Sequence, residues 1–315
     1  MGFIARRLLS AAITLVILSA AVFWVAAVLP GSIGRAILGR EAKPEAVAQL
    51  NRELGADGPV LQRFVRWFWA AIGGDFGQSY KYRPQGVMDF LPEALAASLK
   101  LAVLTLCIVV PVSIVSGLIA ALKQGRWPDR LLTLTGLTLA VTPEFVFGLA
   151  LILIFAVHLG WLPSGGSPDG SVVDQLKVMI LPALTLSAIL FGYLARMVRA
   201  GAIEALQADY TRTATLKGLP RRTVLRKHVM RNALLPTIAV ITSQTSYLLG
   251  GLLVTERMFS YRGLGLLIFD AATDRDVPML LGGVFVVGAL AMLMTLVGDV
   301  LTAWLNPRVR LGGGA

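Results

Sequence analysis

Residues 101–122 read LAVLTLCIVVPVSIVSGLIAAL and contain no charged side chain. A helix that crosses a bilayer needs roughly 20 consecutive, predominantly apolar residues, so this stretch has the length and composition of a membrane span. Five further stretches of the 315-residue chain share that character. The six lie near Leu8–Leu29, Leu101–Leu122, Leu131–His158, Val178–Ala195, Ala233–Thr255 and Val277–Gly298. The sequence therefore predicts an all-α membrane protein with six transmembrane helices.

The composition of the whole chain agrees with a bilayer environment. Charged residues make up 15% of the sequence, against about 25% in an average soluble domain, and hydrophobic residues make up 56%. The single cysteine, Cys107, excludes an internal disulfide framework and a multi-cysteine metal site. His158 and His228 lie far apart in the sequence and match no metal motif. We interpret both as structural residues and expect no metal site.

The first apolar stretch has a second interpretation, because Arg6 and Arg7 precede it as in a secretory signal peptide. At about 22 residues the stretch is long for a signal core. The residues that follow, Leu29-Pro30-Gly31, do not form a cleavage site with small residues at the required positions. We therefore interpret it as the first transmembrane helix.

Proline interrupts several of the six stretches. Spanning helices tolerate proline, because neighbouring helices and ordered waters bind the carbonyl groups that it leaves unpaired. The prolines are Pro111, Pro143, Pro182 and Pro236. Their presence is therefore compatible with six spans.

The distribution of charge predicts the orientation of these helices. The N-terminus, residues 123–130, residues 196–232 and the C-terminal tail fall on one side and carry sixteen cations against three acids. The short connections on the other side, residues 159–177 and 256–276, carry four cations and six acids. Cytoplasmic loops are enriched in Lys and Arg, so we expect both termini in the cytoplasm.

The same alternation predicts how the chain is organised. The long connection near Gly31–Leu99 lies outside the cytoplasm, with eight cations and seven anions, and is too small to bury a strong core unaided. The predicted regions are the N-terminus with helix 1 in residues 1–30, the extracytoplasmic insert in 31–99, a five-helix core in 100–306 that includes a cytoplasmic segment at 200–235, and a cytoplasmic tail in 307–315.

Nine of the sixteen cytoplasmic cations fall between Arg196 and Arg231. Within this segment Glu204–Lys217 favours a helix, Gly218 is a typical helix stop, and Pro220 suits the first turn of the next helix. Apolar residues then recur at helical spacing, which predicts an interfacial helix that runs into the fifth span. The charge alone is compatible with nucleic-acid binding, but these cations lie at a membrane edge, so we expect no nucleic-acid partner.

Two polar features within the spans are candidates for a translocation path. Glu144 lies in the third span, where a charged side chain costs about 2.5–3.5 kcal/mol and faces a water-filled cavity or a partner by default. It either lines the path or pairs with another helix. The fifth span carries the polar run Thr242–Tyr247, in which Ser243, Gln244 and Tyr247 are candidate path residues. Because such side chains also hydrogen-bond between helices, and six consecutive residues circle the helix, we expect the run to serve both purposes.

The sequence lacks the motifs of an enzyme. No GxxxxGK[ST] phosphate loop occurs, so we expect no ATP bound by this chain. Gly263-Leu264-Gly265 follows no predicted strand, which excludes a dinucleotide interpretation. No catalytic triad, Cys/His pair or carboxylate pair is recognisable, so we predict a protein that is not an enzyme.

One cytoplasmic motif and several shorter elements resemble a known family. Asp209-Tyr210-Thr211-Arg212-Thr213-Ala214-x-x-Lys217-Gly218-Leu219, followed by His228, Arg231-Asn232-Ala233-Leu234 and Pro236, resembles the cytoplasmic coupling motif of ABC-importer permeases, in the form of the dipeptide, oligopeptide and nickel permease group. The further elements, which cover nearly the whole chain, are Arg6-Arg7-Leu8-Leu9, Leu29-Pro30-Gly31, Leu54-Gly55-Ala56-Asp57-Gly58-Pro59, Gly74-Asp75-Phe76-Gly77-x-Ser79, Glu256-x-x-Phe259-Ser260-x-x-Gly263-Leu264-Gly265, Arg275-Asp276-x-Pro278 and Asn306-Pro307-Arg308-x-Arg310.

Four features depart from the usual motifs. Arg212 stands where the general importer motif has glutamate, and the Leu235-Pro236 pair comes later after the glycine; both features narrow the resemblance to the peptide and nickel branch. Ser32 and Asn306 each stand where aspartate is usual in the group.

The resemblance implies a multi-pass permease subunit of the inner membrane that moves di- or oligopeptides, with nickel or another small solute as the alternative. It implies a second homologous permease, forming a heterodimer, an extracytoplasmic solute-binding protein, and two cytoplasmic ATPase subunits that bind and hydrolyse ATP with Mg²⁺. The residues it assigns to the ATPase contact are Asp209, Tyr210, Thr211, Arg212, Thr213, Ala214, Lys217, Gly218 and Leu219. Asp75, Phe76, Gly77 and Ser79 in the insert are candidates for docking of the binding protein.

An ion-gradient-driven secondary transporter is the second hypothesis, motivated by Glu144 and the polar fifth span. Such transporters are commonly built from internal repeats. No second copy of the six-span pattern occurs in this sequence, which disfavours that hypothesis.

Overall fold

A computed structural model describes residues 2–28, 33–39, 41–53 and 58–305. Four features predicted from the sequence lie outside the described residues. They are Leu29-Pro30-Gly31 with Ser32, residues Leu54–Asp57 of the Leu54–Pro59 motif, the Asn306–Arg310 motif and the 307–315 tail.

The described chain is built from helices. Thirteen α-helices occur, with π-helical turns at Ile152–His158 and Leu225–Val229 and a 3₁₀ turn at Val87–Asp89. The α-helices are α1 Gly2–Val28, α2 Ile33–Leu38, α3 Pro44–Glu53, α4 Val60–Ile72, α5 Leu91–Leu122, α6 Trp127–Val141, α7 Glu144–Leu151, α8 Val172–Gln207, α9 Asp209–Leu216, α10 Arg221–Val224, α11 Met230–Met258, α12 Leu264–Thr273 and α13 Val277–Leu305. The predicted all-α class is confirmed.

Four described helical segments are long and apolar enough to cross a membrane. They are Ala5–Ala27, Val87–Leu122, Val172–Gln207 and Val277–Leu301. The pair Trp127–Val141 and Glu144–His158 adds a fifth if it is taken as one span. Helix α11 covers the predicted fifth span and has 29 residues, but several of its side chains lie outside the described part of the chain. That the chain crosses the membrane six times, and that both termini are cytoplasmic, stay predictions.

The third predicted span, Leu131–His158, is not one straight helix. Helices α6 and α7 meet at an angle of 107°. Helix α6 ends where the Thr142 hydroxyl donates a hydrogen bond of 2.7 Å to the carbonyl of Thr138. Thr142 itself is extended, as a residue before proline tends to be, and Pro143 then precedes the first turn of α7. Pro111 and Pro182, in contrast, lie inside uninterrupted helices.

The chain divides into two compact units, Met1–Ser98 with Arg262–Met292 and Leu99–Tyr261 with Leu293–Ala315. In the first unit α4 presents Phe64 and Trp67 on one face, one turn apart. Phe64 packs against Phe23 of α1 with ring centroids 5.5 Å apart, and Trp67 packs against Phe285 of α13 at 6.1 Å. This part of the insert therefore shares a core with two long helices.

In the second unit α8 approaches its neighbours through residues without side chains. A Cβ atom on Gly192 would lie 2.0 Å from the carbonyl oxygen of Gly136 in α6, and one on Gly117 of α5 would lie 2.7 Å from the carbonyl oxygen of Ala195. A Cβ atom on Gly201 would lie 2.8 Å from the carbonyl oxygen of Ala233 in α11. Small residues are typical of helix contacts in membranes, where close backbone approach supplies the packing energy.

This packing predicts different outcomes for two glycine substitutions in long helices. Gly192→Ala forces α6 and α8 apart, and overpacking of this kind costs about 1–3 kcal/mol. We expect the midpoint of thermal unfolding of the purified protein to fall by roughly 3–10 °C, measured by tryptophan fluorescence in detergent.

Gly250→Ala is the matched control, because no atom lies within 4 Å of the Cβ position there. Its unfolding midpoint should stay within about 1 °C of the wild type, as expected for a change that creates no clash. Equal midpoints for both variants would contradict the close approach of α6 and α8.

Candidate coupling segment and buried polar groups

The predicted ATPase-contact segment, Asp209–Leu219, consists of helix α9 and the turn that follows. The sequence predicts one helix over Glu204–Lys217, but the chain breaks at Ala208, which is extended (φ −69°, ψ 146°) and separates α8 from α9. Thr211 compensates for the interruption, because its hydroxyl donates a hydrogen bond of 2.7 Å to the carbonyl of Ala205. The two helices are thereby held in a fixed relation although the backbone between them is not helical.

Gly218 ends this segment as predicted. Its backbone adopts φ +75°, a left-handed conformation that costs other residues about 1–2 kcal/mol. The Gly218 amide donates to the carbonyl of Thr215 at 3.0 Å, and the Leu219 amide donates to the carbonyl of Ala214 at 3.4 Å. These two bonds form a Schellman motif, which satisfies the last carbonyls of α9 and fixes the direction of the exit. Pro220 then directly precedes α10.

Helix α9 has one buried and one exposed face. Thr211 and Ala214, three residues apart, are buried. The large apolar side chains point outward: Leu216 is 80% exposed, Tyr210 42% and Leu219 38%. Exposed apolar side chains of this size are candidates for a contact with a partner.

The segment after Gly218 runs continuously into α11, as the sequence predicts. Helix α10, the π-helical turn Leu225–Val229 and α11 follow one another without a gap. The side-chain amide of Asn232 donates to the carbonyl of His228 at 2.8 Å and so satisfies a carbonyl in the widened turn. His228 thus lies in this turn, and the interpretation of its side chain as structural stays a prediction.

Small residues bind the base of the coupling segment to three long helices. A buried cluster joins the end of α5, the end of α8 and the start of α11. Its members are Ala121, Ala202, Ala205, Val229 and Ala233. Ala205 is also the residue whose carbonyl receives the Thr211 hydroxyl, so α9 is attached directly to this cluster.

An ion pair that the sequence analysis did not identify joins α6 to α8. Arg199 donates from Nε and Nη2 to the two carboxylate oxygens of Asp129, at 2.6 and 2.8 Å. The Gly125 amide donates to the same carboxylate at 2.9 Å, and Asp129 is buried. The one available signal was Asp129 itself, a single acid among the three cations of residues 123–130.

Glu144 lies at the break of the third span and contacts α11. The hydroxyl of Thr255 donates to its carboxylate, and a Cβ atom on Gly251 would lie 3.4 Å from the other carboxylate oxygen. The pairing that the sequence left open as one of two interpretations is therefore present, and Glu144 stays half-buried. Among the other path candidates Gln244 is also half-buried, whereas the side chains of Ser243 and Tyr247 lie outside the described part of the structure.

Two elements of the resemblance that are far apart in the sequence meet in the first unit. Asp276 is buried, and its carboxylate accepts hydrogen bonds from the hydroxyl of Ser79 and from the amides of Tyr80 and Lys81, the latter two at 3.1 and 3.3 Å. It also accepts the amide of Met279 at 3.3 Å, which makes it the N-cap of α13. The segment after α4 is thus attached to the first turn of α13 through one carboxylate.

The four predicted docking residues differ in exposure. Phe76 is buried with its ring centroid 5.7 Å from that of Phe285, and Ser79 is fully buried. Asp75 and Gly77 are exposed, and the Asp75 carboxylate accepts the Gly77 amide at 2.9 Å. A docking role stays a prediction, and the exposed residues of this segment are the ones that can touch a partner.

Lys81 and Asp274 form a second, exposed link in the same region. The two side chains are 2.6 Å apart, and the hydrogen bond to Asp274 raises the pKa of Lys81 to about 12. Lys81 therefore stays charged at physiological pH. The side chains of Lys81 and Asp274 are 44% and 34% exposed, so this ion pair contributes little stability.

Within the described part of the chain no group of three His, Cys, Asp or Glu side chains is arranged to hold a metal ion. Cys107 is exposed. The features that the structure does bring together are an exposed helical segment on a rigid base and polar groups on long apolar helices. Together with the long apolar helices, these features are typical of a membrane protein.

Comparison with known proteins identifies the class. The chain matches the family described as "Binding-protein-dependent transport system inner membrane component" over residues 113–311, and the corresponding N-terminal family over residues 1–86. The chain therefore belongs to the binding-protein-dependent transport permeases. It is the membrane permease subunit of an ABC importer, located in the inner membrane, and it is not an enzyme.

Individual relatives agree with this assignment. The chain is 36% identical over 314 residues to the "Glutathione transport system permease protein GsiC" of Escherichia coli (strain K12), covering 98% of this chain and 99% of the relative. The protein of the same name from Salmonella paratyphi A gives the same identity and coverage. A solved structure described as "Crystal structure of an amino acid ABC transporter with histidines" matches with a TM-score of 0.50 and 18% identity, covering 70% of this chain and 94% of that one, and shows the fold alone.

The importers of this family have a general set of partner subunits. Its importers combine a partner permease, ATPase subunits that use ATP, and a solute-binding protein, and no cofactor on the permease chain itself is indicated.

The Asp276 contacts predict unequal effects for two neighbouring aspartates. Asp276→Ala leaves the Ser79 hydroxyl buried without its acceptor and removes the cap of α13, at a cost of about 3 kcal/mol. Hydrogen–deuterium exchange of the purified protein, followed on a peptide covering residues 79–89, should become faster.

Asp274→Ala is the control, because it removes an exposed ion pair worth about 0–1 kcal/mol. Exchange in the same peptide should stay close to wild type. If Asp276→Ala leaves exchange unchanged, the attachment of this segment to α13 is wrong.

Proposed function

We propose that this chain is one of two homologous permease subunits, forming a heterodimer, in an importer of di- or oligopeptides, including compounds of the glutathione type. Relatives at 36% identity over nearly their full length carry the name of a glutathione transport permease, which supports this substrate class. Two ATPase subunits hydrolyse ATP with Mg²⁺, and a binding protein delivers the ligand from outside. Six helices cross the membrane with both termini in the cytoplasm.

The observation that carries the proposal is the exposed apolar face of α9. Tyr210 and Leu216 on α9 and Leu219 in the turn after it are exposed, while Thr211 and Ala214 anchor the helix. Arg212 and Lys217, also exposed, add positive charge beside them. A short amphipathic helix of this kind fits a groove on a partner, with the apolar side chains as anchors and the charges at the rim. We assign Asp209–Leu219 to the contact with the ATPase subunit.

The anchored face explains how the contact acts at a distance. Thr211 bonds to Ala205, and Ala205 belongs to the buried cluster that joins α5, α8 and α11. Such a cluster of small side chains has little room to deform, since packed interiors resist changes of volume. A displacement of α9 by the ATPase is therefore passed to α8 and α11, and α11 carries three of the candidate path residues.

The path itself is assigned to polar groups on the long helices. Glu144 contributes a carboxylate beside the break of the third span, and its Thr255 bond holds that carboxylate in place. Gln244 on α11 is assigned to the same path, and Ser243 and Tyr247 are assigned to it from the sequence alone. A carboxylate and amides among apolar helices suit a ligand with an ammonium group and peptide bonds.

The external contact is assigned to the segment around Asp75–Ser79. Its buried members, Phe76 and Ser79, fix the segment to α13, while Asp75 and Gly77 remain on the surface. The binding protein thus meets a surface with a defined shape, which lowers the entropy cost of docking.

The source of energy is tested by uptake into proteoliposomes that contain the full importer with its binding protein. A mixture of dipeptides, oligopeptides and glutathione is supplied outside, ATP is placed on the ATPase side, and ionophores collapse the ion gradients. We expect peptide uptake to persist. Uptake that stops with the gradient would indicate a secondary transporter, and uptake of Ni²⁺ in place of every peptide would contradict the substrate class.

The coupling role is tested at Gly218. Gly218→Val should lower co-purification of the ATPase subunits and uptake at least severalfold, because a β-branched residue does not accept φ +75° and the Schellman turn is lost.

Gly218→Asn is the matched control, since asparagine tolerates the left-handed region and the Cβ position is open. It should retain most of both activities. If both variants behave as wild type, the assignment of this turn to the ATPase contact is wrong.

A further inference from the structure

The second unit contains a cleft whose lining shares one residue, Gln244, with the candidate path and none with the proposed coupling and docking surfaces. It has a volume of about 490 Å³ and lies between α6, α8 and α11. Sites for small ligands commonly enclose roughly 300–1,000 Å³ and combine an apolar lining with few polar groups. This cleft has that composition. Its lining includes Leu137, Val141, Ile189, Tyr193, Arg196 and Gln244.

Arg196 is the charged group of the cleft. Its Nε donates to the carbonyl of Gly192 at 2.8 Å, and its guanidinium carbon lies 5.7 Å from the centre of the Tyr193 ring. These two contacts orient the guanidinium group but use only one of its five donors. No carboxylate of the described residues pairs with it.

Arg199, the next arginine along α8, has a structural role and serves as a comparison for Arg196. Arg199, three residues on, is neutralised by a two-point ion pair with the buried Asp129. Arg196 lies on the same long apolar helix without such a partner among the described residues. Arg196 directly follows the fourth predicted span, and a guanidinium group without a carboxylate partner at one end of a mostly apolar cleft is suited to bind an anionic group.

We propose that this cleft binds the carboxylate end of the transported peptide, with Arg196 as the group that recognises the carboxylate. The inference rests on the proposed function and names a recognition element within it. The free edge of the guanidinium group pairs with the two carboxylate oxygens, a geometry for which arginine is better suited than lysine. Gln244 offers an amide to the ligand backbone, and the leucine, isoleucine and valine side chains accept an apolar ligand side chain.

The cleft also lies where the proposed coupling can reach it. Its lining residues Tyr193 and Arg196 belong to α8, and Gln244 belongs to α11. These are the two helices joined to α9 through Ala205 and its cluster. A change in their relative position opens or closes the cleft, so affinity for the carboxylate changes with the state of the ATPase.

The test measures selectivity in the complete reconstituted importer. Proteoliposomes with wild-type protein or a variant receive an equimolar mixture of dipeptides, tripeptides and glutathione, each as the free acid and as the C-terminal amide. Mass spectrometry gives the ratio of acid to amide inside. The same binding protein serves every variant, so its own preference cancels when variants are compared.

We expect Arg196→Gln to lower the acid-to-amide ratio about tenfold, because only the acid forms a hydrogen-bonded charge pair with Arg196 and such a pair commonly contributes that much. Arg196→Lys should give a smaller fall, because lysine keeps the charge and loses the planar fork. Arg130→Gln, which removes an exposed cation from α6 that does not line the cleft, should leave the ratio unchanged.

The outcomes separate this inference from the proposed function. If wild-type protein takes up no peptide of either kind, peptide import itself fails. If wild type imports peptides and both Arg196 variants keep the wild-type ratio, the carboxylate site is wrong while peptide import stands. Equal loss of acid and amide uptake, with reduced co-purification of the second permease, would show that Arg196 serves an acidic residue of that partner and would also overturn the inference. Should Arg196→Gln fail to assemble, Arg196→Lys decides alone: an unchanged ratio overturns the proposal.

Discussion

The close approach of α8 to its neighbours is the constraint on which the second unit depends. Gly192 faces the backbone of Gly136, and Gly201 faces that of Ala233, at distances that leave no room for a side chain. In a bilayer the hydrophobic effect contributes little to the association of apolar helices, because lipid tails are equally apolar. Dispersion contacts between closely packed backbones therefore stabilise the helix pairs. Because α8 is also 36 residues long, about 54 Å, it extends beyond a hydrocarbon layer of about 30 Å and carries this packing to the membrane edge.

The functional features of this permease are arranged along that one helix. Its end forms the alanine cluster to which α9 is attached, Arg199 joins it to α6, and Arg196 lies one turn earlier in the cleft. In the proposed mechanism a cytoplasmic event acts on the cleft through this helix, without a long chain of intermediate contacts. The first unit is held together differently. There a single buried carboxylate, that of Asp276, attaches the segment after α4 to the first turn of α13.

Much of the fold follows from local properties of the sequence. The long apolar runs predict the helices, and Gly218 predicts the end of α9, because each signal depends on a few neighbouring residues. Local signals did not distinguish Pro143, where the third span breaks, from Pro111 and Pro182, where helices continue. Pairings between distant residues were likewise beyond reach: Ser79 with Asp276 and Asp129 with Arg199 depend on how the helices pack. The resemblance marked Ser79 and Asp276 as parts of separate motifs, and the structure joins the two motifs by a hydrogen bond.

The central claim is that the outward face of α9 contacts the ATPase subunit. It is tested most directly with a photoreactive benzoylphenylalanine at position 216 in the assembled importer. Trp127 is the control position, since it is 73% exposed near the start of α6 on the same predicted side of the membrane. On irradiation, a covalent product with the ATPase subunit should form from position 216 and not from position 127. An assembled complex that gives no such product from position 216, or gives it equally from both positions, would contradict the assignment.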